Sequence, residues 1–566
     1  MITTVKSGIA RLINGCVSNG MTHVVCSPGS RNAALIIAID NHPSLTSIVI
    51  HDERSAAFYA IGMSQQLKSP VGLVCTSGSA MLNYFPAVAE AFYQCVPIVV
   101  MSADRPQEWV NHGDGQTIMQ VGAYGKHICF EAEVSEIVSE SEYAEFDEKI
   151  NTGFKEGNGA WKGPIHFNCP ISEPMYGTVE VKLDALETIA SSEVPNALTV
   201  GVLSELKTIW ESSKRKLILC GQMEKDAFLQ SKLSSLAADN SVIVVVENTS
   251  NLIDQKFIHC IDRTLAAFPE EEIEDFKPDL LITIGGAIIS KRIKNLLRQS
   301  DIKSHWKIGF EFPEMNTFRK LSRSIECNPS DLFKSILDWN SPMHVSSFGL
   351  KWKKIDYLNK DLLPSFFQTA NYSDLSVFEL LLDYLPDNSL LHMGNSSVVR
   401  YCQLVDPVST IQYYSNRGTS GIDGSTSTAC GAAFIKNNKL NILISGDVSF
   451  FYDSNALWSN YLGGNLRIVV INNAGGGIFR IIDGPSKVDQ LEEFFETKQN
   501  FSAEKICEAF NLDYHKASNL SELEQLMPEF MVETESDRPI LLEVFTPNTD
   551  NDVELKRFFE HFKSNN

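Results

Sequence analysis

Short apolar runs rich in β-branched residues recur along this chain of 566 residues, and segments with a helical pattern separate them. For example, 71-VGLVCTS-77 and 96-VPIVVMSA-103 flank 79-SAMLNYFPAVAEAFYQ-94, in which small and apolar residues predominate. Strands buried on both faces read as continuous apolar runs, and parallel strands need a crossover, usually a helix, between them. The alternation therefore predicts an α/β protein built on parallel sheets covered by helices.

The alternation falls into three blocks, and the chain is too long for a single hydrophobic core. We expect three doubly wound parallel-sheet domains over residues 1–180, 190–345 and 355–566. The segments 170-PISEPMYGTVEV-181 and 341-SPMHVSSFGLKWKK-354 are candidate linkers because they contain proline and polar residues. In the middle block, 285-GGAIIS-290 is only a weak candidate for a dinucleotide turn because it lacks the full G-x-G-x-x-G pattern.

Composition excludes several classes of function. A net charge of −22 argues against nonspecific binding to nucleic acid or to anionic membranes, which both need a positive surface. No apolar run approaches the roughly 18 residues that predict a membrane span. The twelve cysteines form no C-x-x-C pair and no zinc-type spacing, so we expect reduced, mostly buried thiols. The N-terminus MITTVKSGIARLING predicts a short amphipathic helix rather than a secretory signal, and a cytoplasmic location is expected.

Two predicted strands end in residues suited to a ligand. The run 441-NILISGDVSFFYDS-454 ends its apolar part at Gly446-Asp447, and 469-VVINNAGGGIF-479 ends at two asparagines and three glycines. The second stretch alone is equally explained as a tight turn. Ligands of parallel sheets bind beyond the carboxyl ends of the strands, where Asp447 and Asn473 could converge. Their oxygens, with main-chain carbonyls, would suit a hard cation such as Mg²⁺ together with a diphosphate.

The Gly-Asp pair and the Asn-Asn pair, about 25 residues apart, resemble the diphosphate motif of thiamine-diphosphate (ThDP) enzymes. This resemblance implies that Asp447, Asn473 and the carbonyl of Gly475 hold Mg²⁺ or Mn²⁺. The chain departs from the motif at Val448, where the family usually has glycine. The three predicted blocks match the three-domain architecture of ThDP decarboxylases and carboligases. The cofactor contacts implied are at Pro28, Ser420, Gly421, Gly446, Val448 and Ser449.

Two further residues have roles that the ThDP resemblance implies. Glu53, in 50-IHDERSAAF-58, lies where a predicted strand turns into a helix, and locally it also fits a helix-start acid favoured by the dipole. In ThDP enzymes a glutamate after this strand binds the pyrimidine N1′ and promotes proton transfer. Ile422, in 414-YSNRGTSGIDGSTSTA-429, is the candidate apolar residue that keeps the cofactor bent. It is otherwise a loop hydrophobe tucked into the core.

Basic and polar residues beside predicted strand ends suggest a pocket for several carboxylates. Each is individually explained as a surface charge or a salt bridge between domains. In an acidic protein the set as a whole favours anion binding, because the arginine fork binds carboxylates through two hydrogen bonds. The set comprises Ser30, Arg31, Arg105, Lys291, Arg292, Ser396, Arg400 and Arg417.

The strings SPGSR, HDERSAAF, TSGSA, SADRP, GNSSVVR, YSNRGTSGIDG and NNAGGGIF closely resemble the menaquinone-biosynthesis branch of the ThDP carboligases. Members of that branch are transferases that decarboxylate 2-oxoglutarate and add the succinyl carbanion equivalent to isochorismate in a 1,4-addition. The resemblance implies that Arg31, Arg400 and Arg417 are the principal carboxylate binders. Around them it implies Ser30, Ser396, Arg105, Lys291 and Arg292, a hydrogen-bonding Gln116, and an apolar wall of Ile478, Phe479 and Ile482. Gly115 departs from the asparagine of some relatives.

Alternatives remain at this point. A ThDP carboligase acting on pyruvate, similar to acetohydroxyacid synthase, would leave the arginines without a distal carboxylate to bind. A protein that only binds the cofactor, as a sensor or scaffold, predicts the loss of Glu53 or of a metal ligand, and these residues are all present. The resemblance also implies a homodimer or homotetramer, with each site built between the first domain of one subunit and the third domain of another.

Overall fold

The structure, a computed structural model, describes residues 1–181, 198–342, 344–481, 484–533 and 536–565. The first third of the chain contains β1 (Ile2–Thr4), α1 (Ser7–Ser18), β2 (His23–Cys26), α2 (Ala33–Asp40), β3 (Thr46–Val49), α3 (Glu53–Leu67), β4 (Val71–Cys75), α4 (Ser79–Asn83), α5 (Phe85–Gln94), β5 (Ile98–Asp104), β6 (Phe130–Glu133), α6 (Tyr143–Gly157), β7 (Ile165–Pro170) and β8 (Thr178–Glu180). Six of these strands form a parallel sheet in the order β3-β2-β4-β5-β7-β6.

The middle of the chain contains α7 (Val200–Ser212), β9 (Lys216–Cys220), α8 (Ala227–Leu236), β10 (Val242–Val246), α9 (Ile261–Ala266), β11 (Leu280–Ile284), α10 (Lys291–Gln299), β12 (Ser304–Ile308), β13 (Arg323–Ile325), α11 (Pro329–Asp338) and α12 (Phe348–Phe367). Its five strands form a second parallel sheet in the order β10-β9-β11-β12-β13. The strands β9, β10 and β11 are mostly apolar and almost wholly buried, as expected for the centre of a sheet with helices on both faces.

The last third contains α13 (Asp374–Asp383), β14 (Leu390–Met393), α14 (Val398–Tyr401), β15 (Gln412–Tyr414), α15 (Ser425–Ile435), β16 (Asn441–Gly446), α16 (Asp447–Tyr452), β17 (Leu466–Asn472), α17 (Ile478–Ile481), α18 (Glu504–Phe510), β18 (Asp513–Ala517), α19 (Leu520–Phe530), β19 (Ile540–Phe545) and α20 (Asn551–Asn565). The third parallel sheet has the order β15-β14-β16-β17-β19-β18. Its order repeats that of the first sheet strand for strand, so the predicted α/β class with several parallel sheets is confirmed.

In each of these sheets the strand that comes first in the chain has the second strand on one side and the third on the other. The direction of winding reverses there, and a ligand-binding crevice is expected at this point. In the first sheet the flanking loops follow β2 and β4 and carry SPGSR and TSGSA. In the third sheet they follow β14 and β16 and carry GNSS and GDVS. The topology thus places four of the sequence motifs at the two positions where α/β sheets bind ligands.

The first and third sheets are joined by a close crossing of α3 and α15. A Cβ added to Gly62 would lie 2.0 Å from the Thr428 carbonyl oxygen, and one added to Gly431 would lie 2.1 Å from the Tyr59 carbonyl oxygen. Only glycine fits at such a backbone contact. One hydrophobic cluster accordingly includes buried residues of both helices and of both sheets.

Some elements differ from the sequence expectation. The first residues of the predicted amphipathic helix instead form β1, which pairs antiparallel with β8 inside the first candidate linker, and the helix begins only at Ser7. The second candidate linker is helical from Phe348 onward. The domain boundaries at 1–180, 190–345 and 355–566 therefore stay a proposal. Among the described residues, every helix is too short or too polar to cross a bilayer. The cysteines are free thiols, all buried except the half-buried Cys95 and Cys129.

Candidate active site

Asn473 and Asp447 lie at the carboxyl ends of the adjacent strands β17 and β16, as predicted. Asn473 is buried, and its amide nitrogen donates to Asp374 Oδ2 at 2.9 Å. This bond fixes the amide and leaves Asn473 Oδ1 buried without a hydrogen-bond partner. A buried acceptor without a partner is costly, and a bound cation would satisfy it.

Asp374 is a supporting residue that sequence reasoning missed. It begins α13, is buried, and also accepts from Thr546 Oγ1 at 2.5 Å. Burial raises the pKa of its carboxyl group above the ordinary value. Asn548 completes the support by donating to the Asn473 carbonyl oxygen at 2.8 Å. Asp374 lies 99 residues from Asn473 in sequence, and no local pattern links the two.

Asp447 begins α16, and its two carboxylate oxygens lie in different surroundings. Oδ1 accepts from the Val448 amide at 2.8 Å, while Oδ2 accepts from Gln499 Nε2 at 3.1 Å. Burial raises the pKa of the Asp447 carboxyl group to about 6, against hydrogen bonds that lower it. A neighbouring cation would strongly favour the charged form of such a buried acid.

The glycines after Asn473 let the chain turn sharply at the end of the buried strand β17. Gly475 has φ +147°, and a Cβ there would lie 2.7 Å from the carbonyl oxygen of Glu496. The segment can follow this path only with glycine, since a side chain would be both strained and in collision. The run is therefore a turn held close to its neighbours, and the same turn carries two of the three predicted metal ligands, Asn473 and Gly475.

Residues 417–422 connect the segment Asp447–Ser449 to the basic residues of the third domain. Ser449 Oγ donates to the carbonyl oxygen of Ile422 at 2.5 Å. Asn395 Nδ2 donates to the carbonyl oxygen of Gly421 at 2.6 Å, and Asn395 Oδ1 accepts from Arg417 Nη1 at 2.7 Å. Ile422 itself remains 38% exposed, which suits a side chain that contacts a ligand rather than the core.

Arg417 and Arg400 form a partly buried basic pair beside the 417–422 loop. Burial lowers the pKa of both guanidinium groups, and the charge of Arg400 lowers that of Arg417 further. Arg400 Nη1 donates to the Ser396 carbonyl oxygen, and Ser396 has φ +70°. An anionic ligand would stabilise the charged forms of these two neighbouring, partly desolvated guanidinium groups.

Glu90 of the first domain holds the same loop and was also missed by sequence reasoning. It is buried in α5 and accepts from the amides of Gly418 and Thr419 at 2.7 and 2.6 Å. It thereby fixes the residues next to Arg417. In sequence Glu90 is one acid within an apolar helical run, so the only available signal was a charge at a position expected to be buried.

Lys291 and Arg292 begin α10 in the middle domain, and both are exposed. The guanidinium carbon of Arg292 lies 4.2 Å from the ring centroid of Phe559 in α20. Desolvation raises the pKa of the half-buried Asp262 above its ordinary value, and the charges of Arg292 and Arg400 offset part of this rise. Two of the predicted basic residues from different domains thus act on one half-buried carboxylate.

A separate cluster collects the predicted residues of the first domain. Arg31 is buried, and its Nη1 donates to the Ile171 carbonyl oxygen at 3.0 Å. Ser30 is exposed, and its hydroxyl lies 3.0 Å from the Tyr176 hydroxyl. Arg105 Nη2 donates to the Gly115 carbonyl oxygen at 3.1 Å, next to the exposed Gln116. Their expected meeting with the third-domain residues across a subunit interface stays a prediction.

Glu53 begins α3, and its helix start is well defined. Asp52 caps the helix by accepting from the Ser55 amide at 3.2 Å. Burial raises the pKa of the Glu53 carboxyl group above its ordinary value. Glu53 follows β3 and TSGSA follows β4, so both lie at the carboxyl ends of strands in the same parallel sheet. Burial raises the pKa of the Cys75 thiol at the end of β4, and the Glu53 charge raises it further.

The predicted apolar wall is only partly described. Ile478 is buried, and the ring of Phe479 lies 5.9 Å from that of Phe495. Arg480 holds this short helix through two bonds of 2.6 Å to the carboxylate of buried Glu496. Ile482 lies outside the described residues. The remaining predicted cofactor contacts include the exposed Pro28 and Ser420 and the less exposed Gly446, Val448 and Ser449.

These residues fit a divalent cation with a diphosphate. Replacing Asp447 with Asn is expected to weaken Mg²⁺-dependent ThDP binding about a hundredfold, because a neutral amide replaces the only charged ligand. Titration calorimetry with ThDP and Mg²⁺ measures the loss. Asp513→Asn is the control, since Asp513 begins β18 at the opposite edge of the same sheet. Equal ThDP affinity in Asp447→Asn and in the unaltered protein would contradict the assignment.

Comparison with known proteins shows that the chain is similar to enzymes that bind thiamine pyrophosphate. The model of the thiamine pyrophosphate enzyme N-terminal TPP-binding domain matches residues 6–123, and that of the C-terminal TPP-binding domain matches residues 392–544. Thiamine pyrophosphate is another name for ThDP. A protein of Flavobacterium johnsoniae named 2-succinyl-5-enolpyruvyl-6-hydroxy-3-cyclohexene-1-carboxylate synthase is 41% identical over 97% of this chain and 98% of its own length. A synthase of the same name from Porphyromonas gingivalis is 37% identical over 98% of this chain and 97% of its own.

Proposed function

Because the chain belongs to the 2-succinyl-5-enolpyruvyl-6-hydroxy-3-cyclohexene-1-carboxylate synthase family of ThDP-dependent enzymes, we propose that it catalyses that synthase reaction in menaquinone biosynthesis. In this reaction 2-oxoglutarate loses CO₂ as its C1–C2 bond breaks. A bond then forms from C2 to the ring of isochorismate, and the ring system takes up one proton.

One observation carries the proposal for these substrates. Arg417 is linked by hydrogen bonds through Asn395 and residues 421–422 to Ser449, which follows the predicted metal ligand Asp447 by two residues. Arg400 donates to the carbonyl oxygen of Ser396, next to Asn395. These contacts support a carboxylate-binding pair beside the cofactor seat. Both 2-oxoglutarate and isochorismate carry two carboxylates, whereas pyruvate carries one and would leave one arginine without a substrate carboxylate to bind.

Mg²⁺ or Mn²⁺ would be held by Asp447, Asn473 and the Gly475 carbonyl, and it would neutralise the diphosphate. ThDP, when bound, supplies an electron sink for the electrons left by departing CO₂. Glu53 would hold a proton at the pyrimidine N1′, which the raised pKa of its half-buried carboxyl group favours. Arg400 and Arg417 would orient the substrate carboxylates, and the apolar side chains of Ile478 and Phe479 would exclude water.

Isochorismate consumption with different donors tests this function. The purified protein with ThDP and Mg²⁺ is given isochorismate alone, with 2-oxoglutarate, or with pyruvate. We expect loss of isochorismate only with 2-oxoglutarate. Consumption with pyruvate at a similar rate would overturn the carboxylate argument and favour an enzyme similar to acetohydroxyacid synthase.

We also propose that each site combines the first domain of one subunit with the third domain of another. Mixing inactive Glu53→Gln and Arg400→Ala proteins, after dissociation and reassembly, is then expected to restore part of the activity. Mixed dimers would contain one site with both native residues and one with both replacements. Each variant reassembled alone is the control. A mixture as inactive as its components would place Glu53 and Arg400 in the same subunit's site.

A further inference from the structure

A buried carboxylate of the middle domain, Glu247, holds the chain immediately before Lys291. Glu247 follows β10 and is 1% exposed. Its Oε1 accepts from the amides of Ile289 and Ser290 at 2.7 and 2.8 Å, and its Oε2 accepts from Ile289 at 2.8 Å. The position of Lys291 and Arg292 is therefore set by Glu247, because these two residues follow directly.

A second carboxylate, that of the half-buried Asp262, acts on the same segment. Ser290 Oγ donates to Asp262 Oδ1 and also caps α10 by accepting from the Ile293 amide at 3.1 Å. The segment 289–290 is thus fixed by its two amides, by its hydroxyl and by the helix that it begins. Hydrogen bonds to charged groups are about twice as strong as neutral ones, so this turn is held firmly.

The chain after Glu247 is in turn fixed to the third domain. Asn248 Nδ2 donates to the Cys402 carbonyl oxygen at 2.7 Å. Asn251 Oδ1 accepts from the Tyr413 amide at 2.7 Å, and its Nδ2 donates to the Tyr413 carbonyl oxygen at 3.2 Å. These contacts lie two residues after Arg400 and four before Arg417. Glu247 therefore lies between the basic start of α10 in the middle domain and the pair of arginines, Arg400 and Arg417, in the third domain.

The charges around Glu247 agree with this position. Burial raises the pKa of Glu247 to about 7, while the Ser290 and Ile289 amides and the Arg417 charge lower it. Burial lowers the pKa of Arg400, and the charges of Asp262 and Glu247 raise it again. Burial likewise lowers the pKa of Lys294, which Glu247 raises. The charges of Asp262 and Glu247 therefore stabilise cationic side chains of both the middle and the third domains.

We propose that Glu247 is a positioning residue that fixes Lys291 and Arg292 relative to Arg400 and Arg417, so that the middle domain forms one wall of the dicarboxylate site. The inference rests on the proposed function, because it concerns how that site holds its substrates. Glu247 acts through the 289–290 turn and through the arginines, and contact with substrate is not required of it.

Glu247→Gln tests this role, since glutamine keeps the shape but has one acceptor oxygen and no charge. We expect the KM for isochorismate, for 2-oxoglutarate or for both to rise about tenfold, the size of one lost charge-assisted hydrogen bond, with kcat changed far less. ThDP affinity is expected to stay unchanged. The matched control is Asp279→Asn. Asp279 is also buried and accepts from two amides, those of Lys214 and Arg215, but it lies at the amino ends of the strands, just before β11.

The outcomes separate this inference from the proposed function. If the unaltered protein does not use 2-oxoglutarate, the proposed function fails and takes the inference with it. If it does, and Glu247→Gln has normal KM values or lower ones, the positioning role alone is wrong. Equal loss of thermal stability in both variants with a KM change only in Glu247→Gln supports it. Should Glu247→Gln not fold, Ser290→Ala is expected to raise the same KM values in a smaller degree, and unchanged values there would overturn the proposal.

Discussion

Glu53→Gln is expected to lower kcat roughly a hundredfold to ten-thousandfold, the range typical of a lost acid–base group. Glutamine has nearly the same shape and can still accept a hydrogen bond, but it cannot exchange a proton with the pyrimidine ring. Partial burial raises the pKa of Glu53, but it cannot change the charge of glutamine, which does not titrate. ThDP and Mg²⁺ binding should therefore persist, so calorimetry with the cofactor and kinetics of isochorismate loss are measured on the same preparation.

Asp52→Asn is the matched control for this variant. Asp52 is the neighbouring acid at the start of α3, and asparagine caps helices as well as aspartate does. Its turnover is expected to stay close to that of the unaltered protein. Full activity of Glu53→Gln would remove Glu53 from the chemistry, and loss of cofactor binding in it would show a structural role instead.

Arg400→Ala is expected to lower kcat/KM for the dicarboxylate substrates about a hundredfold, or ~3 kcal/mol, because it removes a charged donor from a partly buried pair. Relief of the repulsion on Arg417 offsets only part of this loss. ThDP affinity should change little, since Arg400 is connected to the cofactor seat only through its neighbours. Steady-state kinetics with each substrate varied in turn, next to ThDP calorimetry, measure the difference.

Two comparisons make the Arg400 result specific. Arg400→Lys keeps the charge but loses the planar fork, so an intermediate loss is expected. Arg298→Ala removes an arginine from the other end of α10, where its Nε donates to the Thr317 carbonyl oxygen, and should leave the kinetics unchanged. Normal kcat/KM in Arg400→Ala for both substrates would exclude this arginine from the pocket.

The sequence predicted the fold class because the signal of a buried parallel strand is local. The run ending at Asp447 and the run ending at Asn473 are strands with the expected ends, and α3 begins at Glu53 as expected. The pairing of β1 with β8 was not predictable, since strands of only three residues are too short to show a period. Proline and polar residues suggested a linker at 341–354, but the burial of Trp352 against Phe268 makes its second half helical.

The candidate site was predictable only as far as its motifs reach. Asp447, Asn473 and the 417–422 loop carry glycines and polar residues at strand ends, which sequence alone can detect. Asp374 and Glu90 act on these motifs from 99 and 328 residues away, and Glu247 acts on the 289–290 segment from 42 residues away. Each is a single acid in an otherwise ordinary segment. Their roles depend on tertiary contacts, which no spacing encodes.

Isotope transfer tests the central claim most directly. The protein is incubated with ThDP, Mg²⁺ and isochorismate, and with 2-oxoglutarate labelled with carbon-13 at C1 in one reaction and at C2 in another. The account predicts that the C1 label leaves as CO₂ and that the C2 label appears in a product whose mass is that of both substrates less CO₂, with one proton gained. Release of the C1 label while isochorismate stays intact would contradict the claim that this site joins the two dicarboxylates.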